Sequence, residues 1–185
     1  MKRLNGNVTL ITGGGKGIGF GLAEAFAEEG SNLVLTGRTE SRLLEAKHKL
    51  EEKYGVEVLP IVADGADEQA IKIVVEKTIE KFGKLNTLVN NAQVSKSGMP
   101  LVEHTKEDFD LAIYSGLYAA FFYMRECFPY LNLSNSIKHG TYFICNDKFC
   151  FWIKSPQYAE TLQFPTGKFT WPTSQPIVLK TKGVL

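Results

Sequence analysis

The sequence predicts an α/β fold, a doubly wound parallel sheet of about five strands covered by helices. Three observations predict it. Short apolar, β-branched runs alternate with helical stretches that carry one apolar stripe. A glycine cluster, Thr12-Gly-Gly-Gly-Lys-Gly-Ile-Gly19, joins the first apolar run to the first helical stretch. Single glycines, Gly30, Gly55 and Gly83, then recur where each helical pattern ends.

Val8 to Thr12 reads as the first strand, and Phe20, Leu22, Ala23, Phe26 and Ala27 form the stripe of the helix that stops at Gly30. Asn32 to Thr36 is a second buried strand, completing a β-α-β unit. Thr39 to Lys53 is an amphipathic helix with Leu43, Leu44, Ala46 and Leu50 inward. Val56 to Ala63 is a third strand. Ile71, Val74, Val75, Ile79 and Phe82 then mark a helix closed by Gly83, and Leu85 to Val89 is a fourth strand. Thr105-Lys-Glu-Asp108 looks like a capping box opening a long helix that runs to about Leu131. Gly140 to Cys145 is placed as a fifth strand.

Strand, glycine loop and helix in that order meet the physical requirement for holding a pyrophosphate, because free amides at a helix start point at the anion. Gly13 permits the tight turn out of the strand. Gly17 lets backbone approach the phosphates, and Gly19 lets the helix lie close to the sheet.

The glycine stretch resembles the Thr-Gly-x-x-x-Gly-Ile-Gly signature of the classical short-chain dehydrogenases/reductases, and the resemblance extends from about Lys2 to about Leu131. It implies a Rossmann-like sheet and an oxidoreductase that moves hydride between a nicotinamide cofactor and a carbonyl or alcohol. The implied cofactor contacts are Thr12, Gly13, Gly15, Lys16, Gly17, Ile18 and Gly19 in the loop. Asn90, Asn91 and Ala92 follow, at the start of an Asn-Asn-Ala-Gln stretch resembling the family's Asn-Asn-Ala-Gly. Gln93 departs from that pattern. Asp64, after the third strand, stands where the family's aspartate meets adenine, though a strand-end aspartate also caps helices.

The residue after the second strand bears on the choice of cofactor. A carboxylate there would accept from ribose hydroxyls, whereas this chain has Gly37-Arg38-Thr39. Arg38 can grip a 2′-phosphate bidentately and Lys16 is a second cation, so NADP(H) is expected over NAD(H). The other reading of Arg38 is a solvated loop cation.

Reduction of a carbonyl needs a proton donor, which the family supplies with a Tyr-x-x-x-Lys pair. None of the seven tyrosines here has a lysine four positions on. Tyr158 is the best positional candidate for a catalytic role, with Leu162 at that spacing; its other reading is an ordinary loop or core tyrosine. Cys145 falls near the expected serine, and aligning Phe109-Asp110 puts Gly116 where the family has a catalytic asparagine. Beyond Asn132, aromatics and prolines replace any sustained stripe. The expectation is a dinucleotide-binding domain over 1–131 and an atypical segment over 132–185, with one strand near 141–145 and the rest irregular. That pattern reads as a C-terminally truncated or frame-shifted family member, dinucleotide-binding and, in the alternative reading, catalytically inactive.

Across 185 residues the formal net charge is +1 and the hydrophobic content 44%. This balance gives no support for a nucleic-acid partner. No apolar run reaches membrane-spanning length, and three dispersed cysteines read as free thiols in the cytoplasm. No metal site is expected. The aromatics from Tyr114 to Tyr123 read as helix packing or as the surface of a homo-oligomer formed through the 105–131 helix.

Overall fold

In the computed structural model, residues 2–96 and 98–132 are described, together with the backbone of strands at 141–146, 149–153, 163–164 and 167–168. Four parallel strands carry the apolar runs: β1 (Val8–Thr12), β2 (Asn32–Gly37), β3 (Val58–Val62) and β4 (Thr87–Asn90). They alternate with α1 (Gly17–Glu28), α2 (Glu40–Tyr54) and α3 (Glu68–Phe82). A fifth strand, β5 (Thr141–Asn146), runs parallel to β4, and β6 (Phe149–Ile153) pairs antiparallel with β5. The order in the sheet is β3-β2-β1-β4-β5-β6. Chain order reverses between β1 and β4, and a cleft at that switch point is the place where such sheets bind ligands.

Alternation along the strands explains the two cores. Leu10 and Val34 face one side with Val74, Leu88 and Tyr123; Ile11, Leu33 and Leu35 face the other with Phe26, Leu43 and Leu50. Each of these buried side chains is worth about 1.5–3 kcal/mol of transfer free energy. Helix ends follow the glycines, with Gly55 and Gly83 in left-handed C-terminal positions.

Several expectations are corrected. Leu44 is 41% exposed, because Leu43, Ala46 and Leu50 already fill the inward stripe and the next residue along points away. The alternative reading of Asp64, as the cap of α3, falls away. Asp67 caps that helix, its carboxylate accepting from the amides of Gln69 and Ala70. Beyond 132 the described strands go further than the one expected near 141–145. Besides β5 there are β6 and a two-stranded ribbon of β7 (Gln163–Phe164) and β8 (Gly167–Lys168). The runs forming β5 and β6 are rich in aromatic and β-branched residues and lie two residues apart, so strand propensity wins. The intervening Asp-Lys lacks the glycine that usually signals a hairpin.

The long helix is also not uniform. Thr105 caps α4 (Lys106–Ala112) in a reciprocal box with Asp108, and α5 runs Ala119–Asn132. Between them Ile113–Tyr118 is π-helical. The Ser115 hydroxyl donates to the Leu111 carbonyl four residues back at 2.7 Å, the kind of back-bond that distorts a helix.

Candidate cofactor-binding site

A cleft of about 950 Å³ opens over the C-terminal ends of β1, β2 and β4. Its floor is set by Thr12. The Thr12 hydroxyl accepts from the amides of Asn91 and Ala92, both at 2.9 Å, while the Asn91 side-chain amide donates to the Thr12 carbonyl at 2.9 Å. These bonds lock the end of β1 to the tail of β4. Gly13, at φ +69, donates to the Thr36 carbonyl at 2.8 Å as the chain turns off the strand. Gly19 then seats α1. A β-carbon there would lie 2.2 Å from the Gly13 carbonyl oxygen and 2.6 Å from the Asn91 side-chain nitrogen. Lys16 occupies the N-cap of α1 without a side-chain cap, so no capping side chain serves the first amides of that helix and they face the cleft.

The wall opposite the glycine loop comes from Asn90, Gln93 and the π-helical turn, with Ser115 and Gly116 on the cleft side. Ser115 missed notice in the sequence. Its hydroxyl receives the Val94 amide at 2.9 Å and shares its one proton between the Leu111 carbonyl at 2.7 Å and the Val94 carbonyl at 2.9 Å, so the turn is pinned to the loop after β4. Lys96 pins the same loop to α4 through an ion pair of 2.7 Å with buried Asp108. That ammonium and the Thr105 amide hold the Asp108 carboxyl below the usual range. Beneath the cleft, Tyr123 donates to Thr36 at 3.3 Å, and burial pushes its phenol up to about 12.

Lys16, Arg38, Arg42 and Asp64 line the cleft, Arg38 just past β2 and Asp64 just past β3, and Ile18 stands exposed at its rim. Asp64 turns its carboxylate back onto the Ala66 amide at 3.0 Å. The sequence-derived set of Thr12, Gly13, Gly15, Lys16, Gly17, Ile18, Gly19, Arg38, Asp64, Asn90, Asn91 and Ala92 is thus brought together around one cleft. Tyr158 lies outside the described residues. Among the described residues no group of His, Cys, Asp or Glu could hold a metal ion.

Two features fit a dinucleotide. Glycine cradles leave no space for side chains at Gly13 and Gly19, where backbone must approach a ligand. Both polar atoms of the Asn90 side chain, in a residue 5% exposed on the cleft wall, have no hydrogen-bond partner among the described residues.

Fold and cleft together define a nucleotide-binding α/β protein. Comparison narrows the class: the short chain dehydrogenase family model matches residues 7–140, and the chain belongs to the short-chain dehydrogenase/reductase family of oxidoreductases. It is 56% identical over 137 residues to a 12α-hydroxysteroid dehydrogenase of a Clostridium species, covering 71% of this chain and 53% of that protein. L-sorbose reductase of Gluconobacter frateurii, solved with NADPH and L-sorbose, superposes with a TM-score of 0.66 at 36% identity, over 71% of this chain and 50% of that one. NAD+-bound xylitol dehydrogenase gives 0.70 at 29% identity, over 76% and 53%. The chain spans about half the length of these relatives. Among the described residues no helix is long and apolar enough to cross a membrane.

Proposed function

We propose that the cleft holds NADP(H) and that the protein serves hydride transfer on a carbonyl or alcohol substrate. The observation that carries the cofactor choice is electrostatic. Lys16 and Arg38 line the cleft and, among the described residues, neither pairs with a carboxylate. A 2′-phosphate supplies the missing charge, and guanidinium geometry suits it. In this reading the amides opening α1 bind the pyrophosphate, Asp64 meets the adenine side, and Asn90 to Ala92 run along the ribose. The nicotinamide, when bound, supplies or accepts the hydride. The relative solved with NADPH supports the phosphorylated cofactor, while the NAD+-bound one makes the charges of this chain the deciding argument. A steroid alcohol is the first substrate to try, from the likeness to the hydroxysteroid dehydrogenase.

The test is a fluorescence titration of the purified chain with NADPH and NADH. Saturable binding with NADPH the tighter ligand is expected. Equal or stronger NADH binding overturns the cofactor choice, and binding of neither overturns the whole reading.

One sequence fact favours a second reading, in which this chain binds dinucleotide without turning over. Its 185 residues contain no Tyr-x-x-x-Lys pair, and the π-helical turn carries Gly116 at the position aligned with the family's catalytic asparagine. Stoichiometric NADPH binding with no oxidation by a panel of oxo-steroids and ketoses supports it; measurable turnover removes it. A second copy docking on the 105–131 helix belongs to the same proposal, supported by exposed Phe109, Tyr114, Leu117 and Phe121. Light scattering of Phe121→Glu against the parent tests it, a shared mass counting against that surface.

A further inference from the structure

Arg42 was not singled out by the glycine motif or by the position after β2, yet it lines the same cleft as Lys16 and Arg38. It sits in the first turn of α2, whose N-cap Thr39 makes no side-chain capping bond. A cation at that position opposes the helix dipole, whose N-terminal end is already positive. Glu40 is the acidic residue of the same turn, and among the described residues Arg42, like Lys16 and Arg38, has no carboxylate partner. Glu45, three residues on in the same helix, is bound to Lys49 at 2.6 Å.

Packing fixes this arrangement. A β-carbon at Gly15 would lie 3.4 Å from the Arg42 carbonyl carbon and 3.5 Å from its β-carbon, so the glycine loop rests on the first turn of α2. Fully buried Leu43 anchors that turn in the core. A second cavity of about 400 Å³, lined by Gly15, Lys16, Phe20, Arg42, Glu45 and Lys49 among others, shares Gly15, Lys16 and Arg42 with the cleft. Three cations from three separate elements therefore line one cleft: from the glycine loop, the end of β2 and the start of α2. A local rule is broken in the free protein, and a bound dianion restores it.

We infer that Arg42 is a specificity-determining residue, gripping the 2′-phosphate of the dinucleotide from the α2 side while Arg38 holds it from the β2 side. This rests on the NADP(H) reading above and deepens it, assigning part of the discrimination to a helix-borne residue. The pyrophosphate and nicotinamide contacts do not involve Arg42, so its loss should fall on the phosphorylated cofactor alone.

The experiment compares the full chain with Arg42→Gln and Arg42→Lys, titrating NADPH, NADH, 2′,5′-ADP and 5′-AMP into each, with a thermal melt as the folding control. For Arg42→Gln, NADPH and 2′,5′-ADP are expected to weaken about ten- to hundredfold, the value of a charge-assisted bond, while NADH and 5′-AMP stay within about twofold. Arg42→Lys, which keeps charge but loses the planar fork, should fall between. A parent chain with no preference for NADPH fails the underlying reading. A parent that prefers NADPH together with an Arg42→Gln variant that keeps that preference overturns this inference and leaves Arg38 and Lys16 standing. Equal weakening of all four ligands also overturns it, since Arg42 would then support the loop rather than select the phosphate. Should Arg42→Gln not fold, the Lys variant decides by the same ratio.

Discussion

Replacing Gly19 with alanine puts a methyl group 2.2 Å from the Gly13 carbonyl oxygen, 2.6 Å from the Asn91 side-chain nitrogen and 2.8 Å from the Gly13 carbonyl carbon. Ordinary contacts need more than 3 Å, so α1 and the loop must separate by roughly 1 Å. Two of the three clashing atoms are backbone, and Asn91 is itself held on Thr12, so no flexible side chain can swing clear. Overpacking of this kind costs about 1–3 kcal/mol of stability. The same shift moves the amides opening α1, and each charge-assisted bond to a phosphate that is lost costs about ten- to hundredfold in affinity. Gly21, two residues on in the same helix, has nothing within 4 Å of its added β-carbon. Gly21→Ala should instead gain about 0.5–1 kcal/mol, since alanine is the better helix former. Thermal melts and NADPH titrations of both variants form the assay. The reasoning is refuted if Gly19→Ala melts with the parent and binds NADPH within twofold, or if the two alanines shift together.

Ser115→Ala strips the Val94 amide and carbonyl of their shared partner and should destabilise the fold by about 1–3 kcal/mol in urea unfolding; Ser115→Thr, retaining the hydroxyl, should lose less, and equal losses would assign the effect to packing. Alkaline stability should fall as pH rises from about 10 to about 12, because buried Tyr123 keeps its proton across that window while the unfolded chain releases it. Two units correspond to about 3 kcal/mol; Tyr123→Phe should flatten this limb, and an unchanged limb would locate the titration elsewhere. At the acid end Glu29, bound by the Arg3 guanidinium and amide, has its carboxyl drawn from 4.5 to about 2. Its contribution is therefore present above pH 4.5 and lost as pH falls towards 2, and Arg3→Ala should flatten the acid limb of a pH–stability profile.

What was legible in the sequence follows the range of the interactions. Strands β1 to β4 and helices α1 to α3 announce themselves because burial periodicity and glycine stops are local, and the phosphate loop because its backbone demands glycine. Leu44 was misread because two adjacent leucines cannot both lie on a stripe whose centre Leu43, Ala46 and Leu50 already define. Arg42 escaped because its meaning comes from Gly15 of another element lying against it. The unpartnered Asn90 amide escaped for the same reason, since satisfaction of a side chain depends on every neighbour in space.

The π-helical turn is the sharpest case, because which polar side chain ties it to a neighbouring loop depends on contacts in space. Aligning Phe109-Asp110 with the family's helix start puts Gly116 at the family's asparagine. Within the π-helical turn at Ile113–Tyr118 the polar group bonded to the loop after β4 is Ser115, one position earlier. Gly116 then borders the cleft with no side chain of its own, while Ser115 joins helix to loop through Val94 and Leu111. The sequence therefore records a lost asparagine, whereas the fold retains a hydroxyl link across the same wall. That link makes the Ser115 variants the direct measure of how rigid this wall must be for a dinucleotide to bind beside it.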